Sequence, residues 1–591
     1  MFSAQLRKLA EVSISRSFFS NRLLCWLVLA LLWNAGQGSA QTTPDFPLAA
    51  LREGLEGYAI TAGAGNVLER FPVTVLSLQH DMGLGFPLVL VRSHGDFIER
   101  SGGVAAGMSG SPVYLPYQGQ DALLGAIGYV FPNSDHRLAL ITPIEVMRQA
   151  QPLAASDNSG DNPSTSLTAL DWAQRSDIVP FGQPFDASQA VPVQTPLLLS
   201  GVSARAQEHA AALFARSNVS PMPLQLTGQA SQQDDEAFVL EPGSAVGVQL
   251  VRGDITIAAV GTLTLIEDDA FWAFGHSLLG EGGVSFALAP AYVSHIVSSN
   301  VVPFKLSNNG QRLLGSVTQD RPFAISGILD REPAYIPISL TLNLPHTSLR
   351  KTFEVSADER YYSPLLAIAI LQAMDEALSQ VGAGSSEIAW EISLATGESL
   401  RMLEQITHGS DIAGATAAVV ASPLAILADN PFADPQVSRI NLNVRYEPNQ
   451  RYAEIVEVLA ENSQVRPGGV LIAYVRLQPF RSDPEVKTLR IPLPEALEGE
   501  QEIVIRGGLE GLRSNGESSN MASTILSFNE LLVALRDRVQ ASELVVEVEI
   551  DGEMERLERI SLPYMVRGSK PLTITIADPD ANDTDALGET P

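Results

Sequence analysis

Two stretches of this chain, residues 58–152 and 235–345, consist of short apolar or alternating runs punctuated by Gly, Pro and Asn. The first contains "FPVTVLSL", "FPLVLVRS", "SPVYL", "LLGAIGYVF" and "LALITPI". The second contains "SAVGVQLV", "DITIAAVGTLTLI", "FWAFGH" and "YIPISLTLNL". Runs this short, each closed by a turn former, are strands of a barrel or sandwich rather than helices. Two such stretches of similar size predict a mainly β chain with two β-barrels. A chain of 591 residues exceeds what one hydrophobic core holds, so further domains are expected.

The segments around the barrels read as follows. Residues 1–40 form an N-terminal targeting segment, and 41–153 carry the first barrel. Residues 154–234 are a linker ("SDNSGDNPSTS", 156–166) and a mixed insertion in which "ARAQEHAAALFARS" is helical and "GQASQQDDE" a loop. Residues 235–345 carry the second barrel and 346–435 an α/β connecting segment. Its helix, "SPLLAIAILQAMDEALSQVGAG", is expected to be capped by Ser363, with Pro364 in the first turn and Gly382 as the stop. A shorter helix, "TPIEVMRQA", is expected to take Thr142 as its N-cap and Pro143 as its first residue. Residues 436–576 resume short strands ("RINLNVRY", "GGVLIAYVRLQ", "EIVIRG", "LVVEVEI") and read as a C-terminal β-sandwich. Residues 577–591 form an acidic, disordered tail.

The N-terminus has the three parts of a signal peptide: basic Arg7, Lys8, Arg16 and Arg22, the apolar "LLCWLVLALLW", and "GQGSA" with small residues at Gly38 and Ala40. The chain is therefore expected to be exported, to the periplasm or beyond, with no integral membrane segment after cleavage. An uncleaved anchor is the rival reading. Cys25, the only cysteine, lies inside the apolar run, so the remaining chain can build neither a disulfide nor a thiolate metal site. The formal charge of −29 becomes more negative once the basic segment is removed. A surface this acidic repels phosphate backbones, which argues against nucleic-acid binding.

"GMSGSP", 107–112, suggests chemistry. A serine hydroxyl attacks only if a base takes its proton and donors await the oxyanion. Gly107 permits a sharp turn in which the N–H groups of Gly107 and Ser109 converge on one oxygen. The plain alternative is a β-turn, which Gly, Ser and Pro also favour. A hydrolase elbow would need a helix after the serine, whereas "PVYL" is strand-like. Of the eight histidines, His276 stands out, at the end of an aromatic strand run and just before a Gly-bounded loop. "EDD" before it reads as a solvated hairpin turn. No histidines have close ligand spacing with carboxylates, so no metal and no cofactor is expected.

At this point the residues resemble a known family. "LERFPVTVLSL…FPLVLVRSHGDFIERSGGVAAGMSGSPVY…LLGAIGYVF…ITPIEVM" (68–147) is similar to the serine half of the SpoIVB-type serine peptidases. "EPGSAVGVQL", "AAVGTLTLIEDDAFWAFGHSLLG" and "LLGSVTQDRPFAISGIL" (within 241–329) resemble the histidine half. The resemblance implies a chymotrypsin-like double β-barrel whose halves are permuted, because serine here precedes histidine. It implies Ser109 as nucleophile, His276 as general base and acid, the Gly107 and Ser109 amides as oxyanion hole, and a protein or peptide substrate. Where the family carries its aspartate this chain has His94. Asp96, two residues on, would be the triad acid if a strand put it on the same face, and is a turn aspartate in "SHGDF" otherwise. Ser111 stands where the usual loop has glycine and reads as structural. The competing function is a catalytically weak or inactive protease-like scaffold that binds cell-envelope proteins through the C-terminal β-sandwich.

Overall fold

The computed structural model describes residues 43–79, 83–153, 177, 179–182, 190–199, 203–215, 219–221, 232–510 and 525–577. The expected signal segment, the 156–166 linker and residues 578–591 of the tail lie outside them. The described chain is mainly β and contains two closed six-stranded barrels.

The first barrel is built from β1 (Glu56–Ala64), β2 (Val67–Gln79), β3 (Leu88–Ser93), β4 (Pro112–Tyr117), β5 (Gln120–Val130) and β6 (Leu138–Pro143). The strands follow the order β4-β1-β2-β3-β6-β5, and pairing of β4 with β5 closes the ring. Alternating side chains, among them Phe71, Val73, Val91, Leu124 and Ile141, fill its interior. Burying each such side chain stabilises the barrel by about 1.5–3 kcal/mol.

The next strands lie between the barrels: β7 (Val191–Pro192), β8 (Thr195–Leu199) and β9 (Val219–Pro221). The second barrel comprises β10 (Ala245–Gly253), β11 (Ile257–Glu267), β12 (Ala270–Ala273), β13 (Gly282–Val297), β15 (Gly315–Arg321) and β16 (Ala324–Leu329), with β14 (Phe304–Asn309) paired to β13. Its order is β10-β13-β15-β16-β12-β11, closed by β10 on β11. The "EDD" turn is the β11–β12 hairpin, with Asp268 at φ 53° and exposed.

The sheet does not end at the barrel. From β10 it continues through Ser348–Ser356, Tyr335–Asn343, Val437–Glu447, Gly384–Leu394 and Ser399–His408, making a 14-stranded sheet. Val437–Glu447 therefore belongs to this middle sheet and not to the C-terminal unit in which its sequence position suggested it. Helices Tyr362–Leu378 and Ile412–Ala428 pack together in the same core. The first starts after Tyr361, because the Ser363 hydroxyl donates to the Ala421 carbonyl of the other helix at 3.0 Å instead of capping. It stops at Ser379, which takes the left-handed φ of 53°, ahead of the expected Gly382. Beyond the middle sheet, a four-stranded and a five-stranded sheet share one core.

Two further local expectations give way. Thr142 does not cap the helix Ile144–Met147, whose N-cap is Pro143; its hydroxyl donates to the Gly275 carbonyl at 2.6 Å, across the barrel interface. "GQASQQDDE" contains the start of a helix, Gln232–Ala237, rather than loop alone. No helix among the described residues is long and apolar enough to cross a membrane.

Candidate active site

The serine turn leaves the helix Asp96–Ser101 and enters β4 as two successive tight turns. Met108 N–H donates to Ala105 O at 2.9 Å and Ser111 N–H to Met108 O at 3.1 Å. The Ser111 hydroxyl also donates to Met108 O, at 2.7 Å, so this serine serves the turn. Gly107 and Gly110 hold φ values of +88° and +89°, a region that disfavours side chains. Gly110 is also packed against the backbone of the second barrel. A Cβ there would stand 1.9 Å from Thr262 O and 2.5 Å from Phe274 N.

Strand β11 of the second barrel fastens the turn from the other side. Thr262 N–H donates to Ser109 O (2.8 Å), Thr262 Oγ1 to Gly107 O (3.0 Å) and Thr264 Oγ1 to Gly110 O (2.7 Å). Lys305, fully buried on β14, lies beneath. Its Nζ donates to Thr61 Oγ1 at 2.7 Å and Thr262 Oγ1 at 3.4 Å, and no carboxylate pairs with it among the described residues. Burial pushes its ammonium down from 10.5 to about 7.

His276 follows β12 through Phe274 and Gly275, both at positive φ (70° and 68°). Phe274 N–H bonds to Thr262 O at 3.2 Å, on the strand that holds the serine turn. Gly275 and Gly128 touch closely enough that a Cβ on Gly128 would meet Gly275 O at 2.4 Å. Gly128 in turn follows Ile127, whose carbonyl accepts Gly110 N–H at 2.8 Å. The serine and histidine turns are thus neighbours across the barrel interface, joined by shared backbone contacts. The imidazole packs edge-to-face with the ring of Tyr129 and tilted against that of Phe274.

The ring is fully buried, and Nδ1 donates to the Ser277 carbonyl at 2.6 Å. That bond places the proton on Nδ1 and leaves Nε2 as an acceptor in the neutral tautomer. Burial pushes the imidazole from 6.5 to about 4, against the opposing pull of the Ser277 and Val193 carbonyls. Three buried side-chain atoms near this junction have no hydrogen-bond partner among the described residues: Ser109 Oγ, His276 Nε2 and Thr195 Oγ1.

Asp96 is not brought to the histidine. It is an exposed first residue of the helix Asp96–Ser101, neither on a strand nor in a simple turn, and no hydrogen bond or ion pair joins it to His276. His94 instead contacts Thr74 Oγ1 at 3.2 Å and Glu56 at 3.5 Å. The carboxylate that shapes the histidine loop is Asp320, which sequence reasoning passed over. It is buried and accepts the N–H groups of Leu278 (2.7 Å), Leu279 (2.7 Å) and Gly280 (2.8 Å), with Glu281 N–H at 3.5 Å. Burial raises its pKa against the pull of these four donors. The "TQDR" context carries no mark of that role, because the partners are backbone groups.

Of the proposed oxyanion donors, the Gly107 N–H is engaged by the carbonyl of Gln194, at 3.2 Å. No cluster of His, Cys, Asp and Glu able to hold a metal ion occurs among the described residues. No protein-family model, curated protein or solved structure matches this chain.

Proposed function

We propose that this protein is an exported serine endopeptidase of SpoIVB type, acting through an acyl-enzyme, with its serine and histidine barrels in permuted order and a C-terminal β-sandwich. The observation that carries this reading is the pair of partnerless buried atoms, Ser109 Oγ and His276 Nε2, on two turns locked to each other at Gly110. An unmade hydrogen bond on a buried polar atom costs about 1–3 kcal/mol, and here a hydroxyl able to attack and an imidazole nitrogen able to take its proton both bear that cost on adjacent turns. Ser109 Oγ attacks the substrate carbonyl while His276 Nε2 takes its proton; the imidazolium then protonates the leaving amine. Water repeats the sequence to release the acyl group.

The Ser277 carbonyl does part of what a triad aspartate does: it fixes the ring and the tautomer. As a neutral dipole it stabilises the imidazolium less than a carboxylate would. Replacing the acid in a triad lowers turnover by about four orders of magnitude, so slow turnover is expected here.

A fluorophosphonate probe tests the reading. Wild-type protein should label and Ser109→Ala should not. The second reading, a protease-like scaffold that binds cell-envelope proteins, draws on the complete burial of Ser109 and His276 and on the missing carboxylate at Nδ1. Absence of labelling in both proteins, or equal labelling of both, would favour it.

A further inference from the structure

The segment between the two barrels passes through the candidate site. Val191 and Pro192 pair with Val130 and Tyr129 on the edge of the first barrel, antiparallel. Leu197, Leu198 and Leu199 pair with Ala259, Ala258 and Ile257 of the second. Val193–Pro196 therefore spans the junction where the serine and histidine turns meet.

Its backbone contacts are those of a bound peptide. A substrate of a β-barrel protease adds as an extended strand beside the nucleophile loop, held by main-chain hydrogen bonds, with the carbonyl to be attacked on the oxyanion donors. Here Val193 N–H donates to Gly128 O at 2.9 Å and Gly107 N–H donates to Gln194 O at 3.2 Å. The Val193 carbonyl bears on the His276 ring. Pro196 lies over Gly107, 3.5 Å from where its Cβ would be. The residues from Val193 to Leu199 are buried apart from half-buried Gln194.

On the peptidase reading, we infer that the Gln194–Thr195 peptide bond is the protein's own substrate, cut in cis by Ser109. Ser109 Oγ forms an ester with the Gln194 carbonyl carbon. The C–N bond to Thr195 breaks, and the proton taken from Ser109 by His276 passes to the Thr195 nitrogen, which leaves as an amine. Water then hydrolyses the ester, giving a Gln194 carboxylate and restoring the serine. The two pieces stay together through the bonds between the serine turn and β11, while the strand over the site gains a free end. The site is thereby opened to other peptides.

The experiment follows purified full-length chain over time by intact mass, with N-terminal sequencing of any fragment and fluorophosphonate labelling in parallel. The inference expects a new N-terminus at Thr195, a first-order rate independent of protein concentration, and an intact Ser109→Ala chain that stays intact when mixed with wild type. An intact wild-type chain whose Ser109 takes the probe would overturn the inference and leave the peptidase reading standing. So would a cut at another bond, or cutting of Ser109→Ala chain in trans. A cut at Thr195 that persists in Ser109→Ala alone would also overturn it. No cut and no labelling would remove both readings together.

Discussion

Lys305→Met isolates the energetic cost of the amine buried beneath the serine turn. The Lys305 ammonium titrates near 7 in the folded protein against an ordinary 10.5, with burial as the cause. Between these values the unfolded chain holds the proton and the folded chain sheds it. The unfolded state thus binds more protons, and stability rises with pH through that window. Linkage puts the cost, relative to a neutral amine, at about 4 kcal/mol at pH 7 and about 2 kcal/mol at pH 9. Methionine keeps the apolar stem against Gly107 but leaves Thr61 Oγ1 without its donor, a loss of about 1–2 kcal/mol. Thr262 still donates to Gly107 O. The variant should therefore be more stable than wild type by about 2–3 kcal/mol at pH 7, and nearly equal to it at pH 9. Paired urea melts at the two pH values measure this, and every other titrating group cancels in the difference. A wild-type-minus-variant difference that does not change between the two pH values would refute the reasoning, because it would mean that Lys305 keeps its proton in the fold.

Gly110→Ala should cost more than about 3 kcal/mol, since its Cβ would strike backbone at Thr262 and Phe274 as well as sit at φ +89°. Gly119→Ala, at φ +84° with open space around it, should cost only about 1 kcal/mol, and comparing the two melts separates clash from backbone strain. Asp320→Asn turns an N–H donor toward the amides of 278–281 and should destabilise the fold by about 2 kcal/mol, with faster hydrogen exchange at those amides. His276 titrates near 4, below its ordinary 6.5, so the base form persists in mild acid. Labelling of Ser109 should hold steady down to about pH 5 and fall toward 4, and a midpoint near 6.5 would contradict the buried geometry.

The two barrels were legible because their strands are short, apolar and bounded by Gly and Pro, a local signal that survives without knowledge of neighbours. Long-range pairing was not legible in the same way. Val437–Glu447 looks like any strand of the C-terminal unit, yet it lies between Tyr335–Asn343 and Gly384–Leu394. Nothing local specifies that register. Helix ends failed for a related reason: Thr142 and Ser363 are good caps in isolation, but tertiary acceptors at Gly275 and Ala421 claim their hydroxyls. At the candidate site, Ser109 and His276 could be singled out because side chains and glycines mark their turns. The groups packed around those turns could not. Ser277 acts through its carbonyl, Asp320 receives backbone N–H groups, and Lys305 gives no local sign that it is buried.

The order of the barrels bears on the site itself. Serine and histidine turns on two barrels meet only at the interface, so either order of the barrels along the chain permits the same pairing. The order does decide which piece of chain must cross that interface. With the serine barrel first, the connection leaves the first barrel at β5's edge and joins the second at β11, the strand that holds Ser109 and Gly107 in place. A connection tied to these two strands has a short route, and that route passes the Gly107 amide and the His276 ring. Contact of Gln194 with the Gly107 amide then follows from connectivity, and a chain with the barrels in the opposite order would not need to place a strand there. If Ser109 is reactive, the first peptide bond presented beside its turn is one that the fold itself delivers.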